Sequence, residues 1–226
     1  MFELKKVPLP NYSRAEEIMN SATHAVGAPL CIIGLVLLLR MQVGKLDGVQ
    51  IFSTVLYMLS SLLVFAGSAI YHGLKPGFAK QVARVLDHAN IYLMISGTVT
   101  AFFMAHVYPT NAKLSIRMVI LVWSLSVIGI VLTFMDLKKF NIPQIFMYIA
   151  LGWIAIFGMR TVYSGGDAGK AFMQMVLIGG ACITVGAMIY LVGKKVRYCH
   201  SVFHVFVLAG NIVIYLGTWQ YFHTIL

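Results

Sequence analysis

Charge is what this sequence has least of. Of 226 residues, 11% are charged and 60% are hydrophobic, and only seven are Asp or Glu. A soluble domain carries about 25% charged residues to solvate its surface, so most of this chain faces something other than water. The mean hydropathy of +0.86 agrees. Cysteine is scarce too: Cys31, Cys182 and Cys199 are an odd set without C-x-x-C spacing, which argues against a disulfide framework or a thiolate metal site. Repeats, low-complexity tracts and long linkers are missing, which leaves no sign of a separate soluble domain. The net charge of +10 is not spread over a basic face, so it points to anionic lipid at a membrane surface rather than to nucleic acid.

What is present is seven intervals free of Asp, Glu, Lys and Arg: 18–39, 48–74, 88–112, 118–135, 140–159, 171–193 and 198–226. Each is long enough to cross a hydrocarbon core of about 30 Å at about 1.5 Å per residue. Helices are expected, because backbone groups in lipid must be satisfied internally and barrel strands are shorter. The fold class is therefore all-α, a multi-pass bundle of seven transmembrane helices over residues 18–226, preceded by a short cytosolic arm at 1–17. Arg40 and Met41 follow the first run in place of a small-residue cleavage site, so a retained span is expected rather than a signal peptide. Pro29, Pro109 and Pro143 are expected to bound or kink spans.

Orientation comes from the basic residues. Lys5, Lys6, Arg14, Lys75, Lys80, Arg84, Lys138, Lys139, Lys194, Lys195 and Arg197 fall on one side; Arg40, Lys45, Lys113, Arg117, Arg160 and Lys170 fall on the other. The richer side is expected to be cytosolic, which puts the N-terminus inside, the C-terminus outside and the chain in the cell membrane.

Ionisable groups inside a span are expensive and mark functional sites by default. Three patterns stand out: Ser68-Ala-Ile-Tyr-His72, Leu86-Asp87-His88 and His200-Ser-Val-Phe-His204. Residues four apart share a helix face, so His200 and His204 can chelate one Zn²⁺, or can simply hydrogen-bond neighbouring helices. With seven spans, the exit of the second, the entry of the third and the entry of the seventh lie at one membrane edge. His72, His200, His204 and Asp87 then share a depth, together with His24 and His88. Three protein ligands with water at a fourth position is the pattern of catalytic zinc. His106 and His223 fall towards the other side and are expected at the interface. Asp47 and Asp167 read as turn residues, and Asp136 as a solvated cap.

Taken together, Glu16-Glu17-x-x-Asn20-x-x-x-His24, Ser68-x-x-x-His72, Leu86-Asp87-His88, Ser96-Gly97-Thr98 and His200-x-x-x-His204-x-x-x-Leu208-Ala209-Gly210 resemble the hemolysin III branch of the progestin and adipoQ receptor superfamily, which includes the adiponectin receptors and is distantly related to alkaline ceramidases. The resemblance implies a seven-helix fold with a cytosolic N-terminus. It also implies zinc on His72, His200 and His204, with Asp87 holding a water there and Ser68 beside it. Glu16, Glu17, Asn20, His24 and His88 are candidates for supporting positions around the ligands. Two places depart from related bacterial sequences: Thr100-Ala101-Phe102 stands for Thr-Pro-Phe, and Ile214 for a histidine.

Three functions fit these residues. One is a zinc-dependent hydrolase of a lipid amide or ester bond, acting on membrane lipids in lipid homeostasis. A second is a receptor-like sensor of membrane lipids or fluidity, with structural zinc. The third, a pore-forming haemolysin, is disfavoured by uniform apolarity. Oligomeric state leaves no mark in the sequence.

Overall fold

The computed structural model describes residues 7–193 and 196–226. Lys5, Lys6, Lys194 and Lys195, four of the charges used to orient the chain, lie outside them, as does the start of the 1–17 arm. The helices are α1 (Arg14–Ala25), α2 (Gly27–Gln42), α3 (Gly48–Gly73), α4 (Phe78–Ala101), α5 (Ala112–Met135), α6 (Leu137–Gly152), α7 (Met159–Tyr163), α8 (Gly166–Val192) and α9 (Cys199–Ile225). A π-helical turn, Phe102–Val107, extends α4, and a 3₁₀ turn, Trp153–Gly158, joins α6 to α7. These pieces assemble into seven spans: Arg14–Gln42, Gly48–Gly73, Phe78–Val107, Ala112–Met135, Leu137–Tyr163, Gly166–Val192 and Cys199–Ile225. The chain is an all-α membrane protein, without a strand among the described residues.

Helix ends follow local chemistry. Ser13 caps α1 and Asp47 caps α3, each in a reciprocal box with Glu16 or Gln50, while Asn111 and Asp136 cap α5 and α6. Each cap satisfies amide donors that the helix start leaves open. Pro29 sits in the first turn of α2. Its ring lacks an N–H and crowds the carbonyl four residues back, so the first span breaks at Val26 between α1 and α2. Pro109 follows the third span, and Pro143 lies inside α6.

The third span is the axis of the bundle. Its apolar window is 67% buried, against 17% for the sixth span and 22% for the fourth. Tyr92, Val99, Phe102 and Phe103 pack there against Val122, Leu151 and Phe172, and a second cluster joins Leu38, Tyr57, Phe65 and Val207. Large apolar side chains such as Ile33, Phe52, Ile120 and Phe157 point outward, as a lipid-facing surface requires.

Two expectations change. Lys80 and Arg84 are not loop charges but buried members of α4. For Lys80 the protein interior supplies a carboxylate and two carbonyls that lipid would not, and the helix runs on past both charges. His106 is not interfacial: it lies buried in the π-helical turn, stacked on Phe172 at 3.9 Å and edge-on to Tyr221 at 4.6 Å. His223 is exposed near the end of α9, against Trp219.

Seven crossings put the two chain ends on opposite faces. A reporter fused ahead of Met1 is expected to read cytosol and one fused after Leu226 the outer side. Both reading the same side would refute the seven-span count.

Candidate metal centre

The site is assembled from three helix ends. His72 lies in the last turn of α3, and His200 and His204 lie in the first two turns of α9. The i, i+4 spacing turns both α9 rings to one face. One ligand nitrogen from each of the three rings lies within 4.8 Å of the others, and no other such group of three or more His, Cys, Asp or Glu occurs among the described residues. The Nε2 atoms of His72 and His200 are 3.2 Å apart. Nitrogens bound tetrahedrally to one ion at about 2.0–2.1 Å are separated by about 3.3 Å. The three side chains are therefore close enough together that they could hold a metal ion.

The fit extends to the far side of the rings. His72 Nδ1 is 2.7 Å from Glu17 Oε2, and His204 Nδ1 is 3.0 Å from the Asn20 carbonyl. These contacts leave both Nε2 atoms for the shared centre. A carboxylate or carbonyl behind a ligating imidazole fixes its tautomer and orientation. Asn20 is held in turn by the Ser201 hydroxyl, at 2.5 Å from its Oδ1, so α1 grips ligands from both α3 and α9.

Glu17 is positioned by Lys80, whose Nζ lies 2.8 Å from Oε1. The same ammonium donates to the carbonyls of His72 at 3.3 Å and Leu74 at 2.9 Å, closing the C-terminal end of α3. Glu16 acts elsewhere, and its carboxylate completes the α1 cap and accepts the Tyr198 amide at 3.2 Å. Tyr198 adopts a left-handed conformation with φ 61° immediately before α9. Such backbone costs a side-chain-bearing residue on the order of 1 kcal/mol, and the bond to Glu16 helps to hold it. Tyr12 covers His200 in a stacked contact at 5.4 Å.

Residues 12–215 match the family model described as "Haemolysin-III related". The chain belongs to the haemolysin-III-related family. It is 31% identical over 196 residues to "Hemolysin-3 homolog" of Bacillus subtilis (strain 168), covering 87% of this chain and 89% of that one. "Hemolysin-3" of Bacillus cereus is 29% identical over 202 residues, 88% and 89% of the two chains. "Monocyte to macrophage differentiation factor" of Homo sapiens, 22% identical over 214 residues and covering 92% and 85%, supports the wider superfamily.

The other residues singled out in this haemolysin-III-related chain divide into two groups. Ser68, Asp87, His24 and His88 line a cavity with His200 and His204. His24 is stacked on His204 with ring centres 3.6 Å apart. His88 is turned to the carbonyl of Arg84, at 2.9 Å. Asp87 stands apart from the three-histidine group, with its nearest ionic contact to His88 at 3.8 Å. Glu17 and Asn20 lie on the opposite side, behind the imidazoles, while Glu16 serves the α1 cap.

Lys80, Ser201, Tyr12 and Tyr198 were not legible as site residues. Lys80 and Ser201 had a weak signal, each at helical spacing from a motif residue, whereas the two tyrosines had none.

Loss of the supporting carboxylate has a defined outcome. Glu17→Gln keeps the shape but weakens the acceptor on His72, and metal affinity is expected to fall about 10–100-fold. Competition with a chromogenic chelator measures this, and an unchanged affinity would show that the contact does not orient the ring.

Proposed function

We propose that this protein binds zinc at His72, His200 and His204 and hydrolyses an amide or ester bond of a membrane lipid at the cytosolic edge of the cell membrane, as part of lipid homeostasis. The observation that carries this reading is the cavity lined by His200 and His204 of the three-histidine group. It has a volume of about 170 Å³, far above the roughly 10–15 Å³ that one water needs. Ser68 and Asp87 face it at the histidine end, and Val64, Ile95, Val99 and Phe102 line it further in. Asp87 and Phe102 sit on one span, so the cavity runs roughly 20 Å at 1.5 Å per residue. A structural site needs no such space; a site that admits a lipid acyl chain does.

Zinc held there supplies a Lewis acid that polarises a carbonyl and lowers the pKa of water towards about 7. The chain's own groups do the rest. Asp87 orients a water against the carbonyl carbon and accepts its proton. Ser68, whose buried side chain lines the cavity with Asp87, donates a hydrogen bond to the oxygen as negative charge builds on it. The C–N or C–O bond then breaks, Asp87 returns the proton to the leaving amine or alcohol, and the acyl group departs as a carboxylic acid. The apolar wall holds the chain and excludes bulk water.

A second reading, a lipid sensor with structural zinc, is favoured by one feature: the imidazoles join α3 to α9 through α1, so a metal would pin the bundle. The two readings separate in one assay. Purified protein is expected to release fatty acid from at least one member of a panel of phospholipids, N-acyl lipids and ceramide. Chelation is expected to stop release and added zinc to restore it. Zinc-loaded protein that releases nothing from the whole panel would overturn the hydrolase and favour the sensor.

A further inference from the structure

Arg84 is a buried cation that the metal site does not use. It is 9% exposed, its Nε has no hydrogen-bond partner, and no carboxylate among the described residues pairs with it. The nearby carboxylates are otherwise engaged: Glu17 holds His72 and Lys80, and Asp87 approaches His88. A buried charge without a counter-ion is costly, so an arginine left in this state is prepared for an anion that arrives from outside the chain.

Lys80, one turn before Arg84 on the same face of α4, lies over the Tyr71 ring at 5.2 Å, and Tyr71 and Tyr12 both pack against the His72 ring, at 4.4 and 6.0 Å. The Tyr71 hydroxyl is buried without a partner. Burial raises the Tyr12 hydroxyl above the ordinary tyrosine range, so it remains a donor. A guanidinium fork with phenolic donors suits an anion with several oxygens.

Depth selects the anion. Arg84 precedes Asp87 by three residues on α4, about 4.5 Å nearer the start of the helix. Headgroups add about 5–8 Å beyond the hydrocarbon on each face of a bilayer. A lipid whose acyl carbonyl lies beside Asp87 would therefore carry its phosphate level with Arg84. We propose that Arg84, with Tyr71 and Tyr12, binds the phosphate of a glycerophospholipid whose acyl carbonyl lies at the three-histidine site. This deepens the hydrolase reading and rests on it for the position of the carbonyl. It names a phosphate-bearing lipid, rather than ceramide or a neutral acylglycerol, as the substrate.

The test reads binding without turnover. The zinc-loaded full chain in a neutral maltoside detergent is titrated with dodecyl phosphate, dodecanol and inorganic phosphate, followed by its thermal unfolding midpoint. Dodecyl phosphate is expected to bind at least about tenfold more tightly than dodecanol. Arg84→Gln should remove about 10–100-fold of that affinity, the range for a charge-assisted hydrogen bond, while Arg84→Lys should retain part of it. Tyr71→Phe should lose about fivefold and, with Arg84→Lys, keeps the test open where Arg84→Gln fails to fold. Equal binding of dodecyl phosphate and dodecanol, or a preference that survives these variants, would overturn the proposal. Inorganic phosphate binding as tightly as dodecyl phosphate would assign the site to a free anion and overturn the lipid. Since no step of this assay needs cleavage, an absent hydrolase activity and an absent phosphate site give different results.

Discussion

Replacing His200 and His204 together with alanine is expected to empty the metal centre. Wild-type protein should carry about one zinc per chain, as three-histidine sites do, and the double variant less than about a tenth of that. The expectation is steep because two of the three grouped imidazoles are removed and only His72 remains. Beside it is Glu17, already held by Lys80. His106→Ala serves as the control. That ring sits among Phe172, Tyr221 and Phe222, outside the ligand group, so zinc content should stay unchanged although packing suffers. Plasma emission spectrometry on the three proteins decides the matter. Stoichiometric zinc in the double variant would refute the ligand set.

The second large effect concerns Asp87. Asp87→Asn preserves volume and hydrogen bonding but removes the base, and lipid cleavage is expected to fall by roughly 10²–10⁴, the range for loss of general acid–base catalysis. Zinc content should persist, because Asp87 lies outside the group of ligand nitrogens. The opposite pattern, zinc lost and thermal stability lowered with no cleavage to lose, is what a closed structural shell with Asp87 as fourth ligand would give. Measuring metal and fatty-acid release on the same preparation keeps these outcomes apart.

The spans were legible because charges in lipid are costly, so intervals lacking them fall where the helices cross. The same rule misplaced Lys80 and Arg84. A charge marks the edge of a span only while lipid surrounds it, and α4 is surrounded by protein. The histidine pairs could be read from helical periodicity alone, since four residues make about one turn. Their support could not. Glu17 and Asn20 look like any polar start of a helix until α1 docks between α3 and α9. His106 was placed by its distance from the chain's charged edges, and the π-helical turn that carries it into an aromatic nest leaves no mark in residue spacing.

The third span has a consequence for how the chain is made. It holds the centre of the bundle yet has the lowest mean hydropathy of the seven, 1.3, and its first three turns carry Lys80, Arg84 and Asp87. A translocon weighs each such charge against insertion by about 2.5–3.5 kcal/mol at mid-helix and less towards the ends. Leaving the ribosome by itself, this segment is a poor candidate for the bilayer. The preceding span is a good one, with a hydropathy of 1.9, and its end carries the backbone carbonyls that Lys80 later grips. The two segments are thus suited to enter as a helical hairpin, the second covering the charges of the third before lipid reaches them. Biogenesis and the site would then depend on the same ammonium.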